Sequence, residues 1–359
     1  MATAFTKRDY SLIGPEAARA AEKGLVSAKW HGCEVPRKEL KELMKREDAP
    51  AIRDTLIWFA ALAVSGAGGV YFWGSAWCVP FFFVYGVLYG SASNSRWHEC
   101  SHGTAFKTRW LNDGVYYIAC FMTLYEPTVR RWMHARHHTD TIIVGRDPEI
   151  VAPRPPSFLN LFLDLFALKA GFQLIGSLSR HAAGRLTEEE KTYIPEMEWN
   201  KVFVQARIFL ALFVAVIATC VLTGSLLPAM LVGLPSLYGA WLSLVFGISQ
   251  HVGLAEDVLD HRLNSRTIHM NPVFRFIYWN MNYHLEHHMY PMVPYHALPA
   301  LHEAIKNQCP APYPNLFAAY REIVPTVLRQ RRDPGYFVRR ELPSRTAAAV
   351  EPDGAALAT

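Results

Sequence analysis

Four stretches of the chain are almost free of charge and long enough to cross a bilayer as helix: residues 55–73, 76–92, 202–222 and 226–249. A hydrocarbon core of roughly 30 Å needs about 20 apolar residues in helical form. Only Gly74 and Ser75 separate the first two stretches, and only Thr223, Gly224 and Ser225 separate the last two, so the pattern predicts two tight hairpins. Arg207 falls one turn into the third stretch, where its long stem can carry the charge back to the interface. Two further apolar runs do not fit the same reading. Residues 116–125 are too few to cross, and residues 158–176 include Asp164, Lys169 and Gln173; both are expected to lie at the interface or to re-enter the bilayer. The expected fold class is an all-α membrane protein, with four transmembrane helices in two hairpins and a helical cap on one side.

The polar segments divide the chain further. Residues 1–53 form a charged N-terminal segment with a helical run at 36–46, Pro36 standing in its first turn. Its charges read as a solvated face. Residues 54–341 form the membrane domain, and residues 342–359 turn to Ala, Pro, Ser, Thr and Gly without apolar period, which predicts disorder. No internal repeat is present.

Histidines crowd the polar segments that follow the apolar ones. They fall into three boxes: His98-Glu-Cys-Ser-His102, His134-Ala-Arg-His137-His138 and His284-Leu-Glu-His287-His288. Residues three and four apart share a helix face, so each box aims imidazoles at a common point. One tetrahedral ion takes about four ligands, so eight histidines suit two metal ions. Imidazole accepts iron, zinc, copper or nickel, and affinity alone does not choose among them. Two hairpins leave all three boxes on one side of the bilayer. If residues 158–176 crossed, the second and third boxes would stand on opposite sides and one site could not form.

Composition refines this picture. Hydrophobic residues make up 51% of the chain, charged residues 19%, and mean hydropathy is +0.06. Such values suit a protein lying half in lipid and half in water. Lys and Arg crowd residues 1–53, the middle segment and the tail, while the hairpin tips carry none. The positive-inside rule therefore places both termini and the boxes in the cytoplasm, the expected membrane is a bacterial inner one, and no cleavable signal is expected. The formal charge of +5 suits a face lying against anionic lipid, and no basic, aromatic-interleaved platform points to nucleic acid. The cysteines, Cys33, Cys78, Cys100, Cys120, Cys220 and Cys309, form no CxxC pair and imply no disulfide framework. Cys100, inside the first box, is expected to point away from the flanking histidines.

The boxes resemble those of the integral-membrane fatty acid desaturase superfamily, whose pattern is HxxxH or HxxxxH followed by two HxxHH boxes, with four spans. The likeness covers roughly residues 55–320. The tract from His137 through Asp147-Pro-Glu is similar to the family's stretch from box two to an acidic DPD-like element. The tract Trp279-Asn-Met-Asn-Tyr-His284-Leu-Glu-His-His-Met-Tyr-Pro291 is similar to its WNxNYHxEHHxxP signature. The EHxxGHH box of the alkane-hydroxylase branch is absent. Within the superfamily, residues 136–149 and 264–268 look most like a rhizobial branch, the dihydrorhizobitoxine desaturase and the rhizopine oxygenase.

The resemblance implies that His98, His102, His134, His137, His138, His284, His287 and His288 ligate two iron ions. It also implies a further ligand just after the fourth span; His251 stands at that place, with His269 as the alternative. Asp147, Asn282 and Glu286 are expected to support the ligands, because a ligating imidazole gives its other N–H to a carboxylate, carbonyl or water. The implied activity is an O2-dependent desaturation of a dihydrorhizobitoxine-like amino-acid derivative or a fatty acyl substrate, with hydroxylation or ketolation as the alternative on the same scaffold. A metal transporter or sensor is the reading from another class, disfavoured because ion pathways place ionisable residues within the spans. The chain carries no haem, flavin or iron–sulfur motif, so a separate electron donor is expected, a ferredoxin with its reductase. Arg130, Arg131, Arg136 and Arg146 near box two are candidate docking charges.

Overall fold

Asp48 starts the first long helix seven residues before the apolar run that predicts it, and the helix continues to Tyr71. A carboxylate in the first turn favours that end of a helix, and Asp48 also accepts the backbone N–H and hydroxyl of Thr108 at 2.8 and 2.7 Å. Ala51, Thr55, Trp58 and Leu62 recur at three- and four-residue spacing on the buried face. Leu56, Ile57 and Val64 stay exposed on the other, as lipid contact requires. The Trp58 indole donates to the Leu88 carbonyl at 2.8 Å and ties this helix to the next. The computed structural model describes residues 8–26 and 29–343. Among these no strand forms; only isolated bridges join Thr267 to Tyr283 and Ile268 to Tyr313. The tail from residue 344 onward lies outside the described residues.

The second apolar run and the first histidine box form one continuous helical path. It runs through Cys78–Gly86, a wider π-turn at Val87–Ser91, and Ala92–Ser101. The third run is the helix Trp199–Thr223, ended by Gly224 in the left-handed region (φ 60). Arg207 reaches, as its stem allows, to the carbonyl of Ala182 at 2.9 Å. Among the described residues two stretches can cross a membrane by length and composition, Arg37–Tyr71 and Glu196–Thr223. A third is possible if the bent pair Phe158–Leu165 and Leu168–Ala182, which meet at 76°, counts as one. That bend turns on Ala167 (φ 49) and is held by Asp164, which accepts the Ala170 N–H at 2.8 Å.

The fourth apolar run departs from expectation. Instead of one helix over 226–249, it forms three short ones, Leu227–Leu231, Pro235–Tyr238 and Trp241–His251. Pro228 and Pro235 each open a helix, because proline lacks the N–H that continuation needs. Gly233 at φ 96 turns the chain between them. At Gly239 the backbone lies directly on the second helical path: a Cβ there would stand 1.8 Å from the Gly86 carbonyl oxygen. Ser91 fastens the crossing by donating to the Gly239 carbonyl at 2.6 Å and accepting from the Ser243 N–H at 3.0 Å. Gly239→Ala is therefore expected to destabilise the protein by roughly 3 kcal/mol, the upper range of overpacking. Gly247→Ala, where a Cβ meets nothing within 4 Å, is the control. Thermal unfolding of the detergent-solubilised protein checks both, and equal melting points would contradict the crossing.

The N-terminal segment lies against the cap. Arg8 pairs with Glu16, Glu256 and Asp257, the Tyr10 hydroxyl donates to Glu256 at 2.9 Å, and Trp30 donates to the Thr139 carbonyl at 3.1 Å. The helix Arg37–Leu43, with Pro36 as its N-cap, buries none of its residues, in keeping with a solvated face.

Candidate metal centre

The helix phase of the boxes decides which histidines meet. The second box lies on the helix Pro127–Thr139 and the third on His284–Met289. His134 and His138, four apart, face one way, and His137 points about 100° around the helix. The third box behaves likewise, with His284 and His288 on one face and His287 beside it. Each HxxHH helix therefore straddles two centres. One group comprises His98, His102, His134, His138 and His287; the other comprises His137, His251, His284 and His288, each group with its ligand atoms within 4.8 Å of one another. All eight box histidines are drawn in, together with His251, which ends the helix Trp241–His251. His269 is outside both groups, its ring 5.8 Å from that of His302.

The Nε2 atoms converge. His98 meets His287 at 2.8 Å, and His134 meets both His102 and His138 at 3.1 and 3.2 Å. In the other group His284 meets His251 at 2.9 Å and His288 at 3.0 Å. An imidazole Nε2 offers either one proton or one lone pair, so a nitrogen facing two others, as those of His134 and His284 do, cannot satisfy both by hydrogen bonds. A cation satisfies them. Imidazole binds such ions at about 2.1 Å, and two nitrogens at right angles on one ion stand about 3.0 Å apart, the spacing seen in both groups.

The opposite edges of the rings fix the tautomer. His137 donates from Nδ1 to Asp147 at 2.8 Å, His251 to the Asn264 carbonyl at 2.7 Å, and His288 to the Thr141 hydroxyl at 3.1 Å. His134 shares its Nδ1–H between the oxygens of Glu149 at 3.3 Å. With the proton on Nδ1, the Nε2 lone pair of each points inward. Asp147 is itself anchored by the N–H groups of Ile142 and Glu149 at 2.7 and 2.8 Å. Burial holds His134 and His138 well below the ordinary imidazole range, with neighbouring imidazoles adding to the effect. Burial also lowers His102, to about 4. At His137 burial pulls down, but Asp147 and Glu149 outweigh it and the net shift is upward.

Of the expected supporting residues, Asp147 touches a box histidine and the other two do not. Glu286 sits two positions after His284, on the opposite side of the helix; its carboxylate accepts from His302 at 2.5 Å and Thr267 at 2.7 Å. Asn282 donates to the Ile268 carbonyl at 2.7 Å and holds the strand-like bridge before box three. Cys100 is fully buried in the apolar core, away from both groups, and burial pushes its thiol well up. Sequence reasoning missed Glu149, Thr141 and Asn264. Glu149 had a signal, since it is the acid two residues after Asp147; a hydroxyl and a backbone carbonyl leave none. His261 was also missed: it stacks on Trp30 at 4.2 Å and lies 5.2 Å from His288.

Each of the four candidate docking arginines pairs with a carboxylate of the protein while staying partly exposed. Arg130 pairs with Glu149 at 3.4 Å and lies over the Trp97 ring at 3.9 Å. Arg131 pairs with Asp113, and Arg136 and Arg146 share Asp140. They brace the box-two helix.

A cavity of about 340 Å³ reaches the two groups between them, touching His98, His137 and His251. Its walls are one face of the helical path through Gly90, Asn94 and His98 and one face of Trp241–His251, closed by the bent pair at Asp164–Leu174.

A family profile described as Fatty acid desaturase matches residues 75–320. Over 102 residues the chain is 29% identical to the sn-1 oleoyl-lipid 12-desaturase of Synechocystis sp., a stretch covering 28% of this chain and 28% of that protein.

Proposed function

The chain belongs to the fatty acid desaturase family, and from that premise we propose that it is an O2-dependent membrane oxidoreductase whose two histidine groups hold a pair of iron ions. The observation that carries this reading is the convergence of nine histidines into two adjoining groups beside one cavity. Zinc would fit the imidazoles, but it is redox-inert and cannot serve an oxidation. Iron supplies, when bound, the power to oxidise an unactivated C–H bond with dioxygen and two electrons.

The residues of the chain have the remaining work. Asp147, Glu149, Thr141 and the Asn264 carbonyl hold four ring N–H groups and keep the lone pairs aimed inward. The cavity brings substrate alongside His98, His137 and His251. Trp97, stacked under Arg130 and edge-on to His134, walls the site from water. The boxes lie in the polar segments where Lys and Arg accumulate, which supports a cytoplasmic centre; the membrane we assign is a bacterial inner one.

The reaction we assign is desaturation: two hydrogens leave adjacent carbons, dioxygen takes two further electrons and two protons, and two waters form. The electrons come from a separate donor, a ferredoxin with its reductase. The substrate is an amino-acid-derived molecule of the dihydrorhizobitoxine kind or a fatty acyl lipid, the latter supported by the name of the Synechocystis protein. Mass spectrometry after incubation with ferredoxin, reductase and each substrate tests this. Loss of two hydrogens is the expected result; gain of one oxygen would make the enzyme a hydroxylase, and dioxygen-independent binding of stable zinc alone would end the oxidase reading.

A further inference from the structure

The cavity wall carries polar side chains along its whole length, and most of them already spend their hydrogen bonds on the protein. Ser95 donates to the Ile277 carbonyl at 2.7 Å, Thr123 to Ala119 at 2.8 Å and Ser236 to Met122 at 2.7 Å. Ser91 and Ser243 hold the Gly239 crossing and the Ala240 carbonyl. Among the charged groups Arg130 pairs with Glu149 and Arg154 with Glu256 at 3.1 Å, while Asp164 accepts the Ala170 N–H at 2.8 Å. These groups present little to a substrate.

Two amides next to the histidines differ. Asn94 lines the cavity, and its amide makes no hydrogen bond among the described residues. Gln250 lines it too; its Nε2 donates to the Tyr278 hydroxyl at 2.5 Å, and its carbonyl oxygen has no donor among the described residues. Their positions matter as much as their freedom. Asn94 is one helical turn before His98, about 6 Å along the axis, on the face shared by residues four apart. Gln250 immediately precedes His251. Each unspent amide therefore stands beside a histidine of a different group, on opposite walls of one cavity.

We infer that Asn94 and Gln250 are specificity-determining residues that grip a hydrogen-bonding group of the substrate a few bonds from the carbon that reacts. The inference rests on the reading of this cavity as the substrate site. The Gln250 carbonyl requires a donor, and the Asn94 amide offers one donor face and one acceptor face. The matching group is a hydroxyl, amine or amide N–H. A plain methylene chain at this depth would leave the Asn94 amide and the Gln250 Oε1 dry and without partners, an unfavourable arrangement for polar groups. The substrate class that follows is a short polar molecule, or a chain with a polar group close to the site of oxidation.

Equilibrium dialysis of hexan-1-ol and hexyl methyl ether against the full-length, detergent-solubilised holoprotein tests this without turnover, with detergent alone as the blank. The ether keeps the oxygen but lacks the donor. The wild type is expected to bind the alcohol about tenfold tighter, the worth of one or two hydrogen bonds. Asn94→Leu with Gln250→Leu is expected to lose that ratio while bound iron per chain and melting temperature stay at wild-type values. Asn94→Asp with Gln250→Glu keeps acceptors in place and is expected to keep a preference for the alcohol. No preference in the wild type, or a preference that survives the Leu pair, overturns the inference. Dioxygen consumption with candidate substrates reads the oxidase function separately, so either conclusion can fall alone.

Discussion

His134→Ala and His284→Ala are each expected to reduce bound iron from about two per chain to about one or fewer and to bring product formation down to the assay background. The two residues are chosen for their place at the middle of each group. His134 touches the Nε2 atoms of His102 and His138, and His284 those of His251 and His288. Losing His284 leaves three imidazoles in its group, losing His134 leaves four, so His284→Ala is expected to lose more metal. Both rings are buried within the protein, and an alanine leaves a cavity, so retained helical content and a single elution peak must accompany the loss. His269→Ala, which removes a ring outside both groups, is expected to keep two irons and wild-type turnover. Metal analysis beside product analysis decides the matter. Full activity in His134→Ala, or iron loss in His269→Ala, would break the assignment of the two groups.

What could be read from the chain was what depends on local periodicity. The i, i+4 pairs of all three boxes share a group as their spacing requires, whereas His137 and His287, expected at the same point as the rest of their boxes, stand in the other group. The runs at 55–73 and 202–222 appear as long helices because nothing in them interrupts the hydrogen-bond ladder. The run at 226–249 has the same hydropathy, yet Pro228, Gly233 and Pro235 divide it. Those residues were visible, and hydropathy outweighed them in the reading. The Gly86–Gly239 crossing was not legible, since close approach of two distant backbones leaves only two glycines as its trace. The same holds for the groups behind the ligands. Asp147 follows its box closely and could be named, but Thr141 and the Asn264 carbonyl reach their rings only through the course of intervening loops. The positive charge near box two is partly neutralised within the fold, by Asp113, Asp140 and Glu149. Neutralisation within the fold is invisible when only one sign of charge is counted.

Asp147→Asn is expected to weaken iron binding and lower turnover by about ten- to a hundredfold, the usual consequence of removing the partner behind a metal-bound histidine. The substitution keeps size and shape and removes the charge. Asp147 is 2% exposed and joins three groups: the His137 Nδ1–H, the Ile142 N–H and the Glu149 N–H. An asparagine offers one acceptor oxygen where the carboxylate offers two. If the carbonyl faces Ile142 and His137, the amide nitrogen confronts the Glu149 N–H, donor against donor. If it faces Glu149, the amide confronts the His137 Nδ1–H and pushes its proton to Nε2, where it blocks the lone pair the site needs. Either way one of the two carboxylates behind box two loosens, because Glu149 holds His134 in the other group. The effect should therefore reach both groups, and both irons should be easier to remove with chelator. Glu286→Gln, which alters a carboxylate between two box histidines that contacts only His302 and Thr267, is expected to lower iron affinity less than Asp147→Asn does. Chelator competition on the purified holoproteins measures both, and a larger loss of affinity in Glu286→Gln would show that support for the ligands runs through box three and not through the loop after box two.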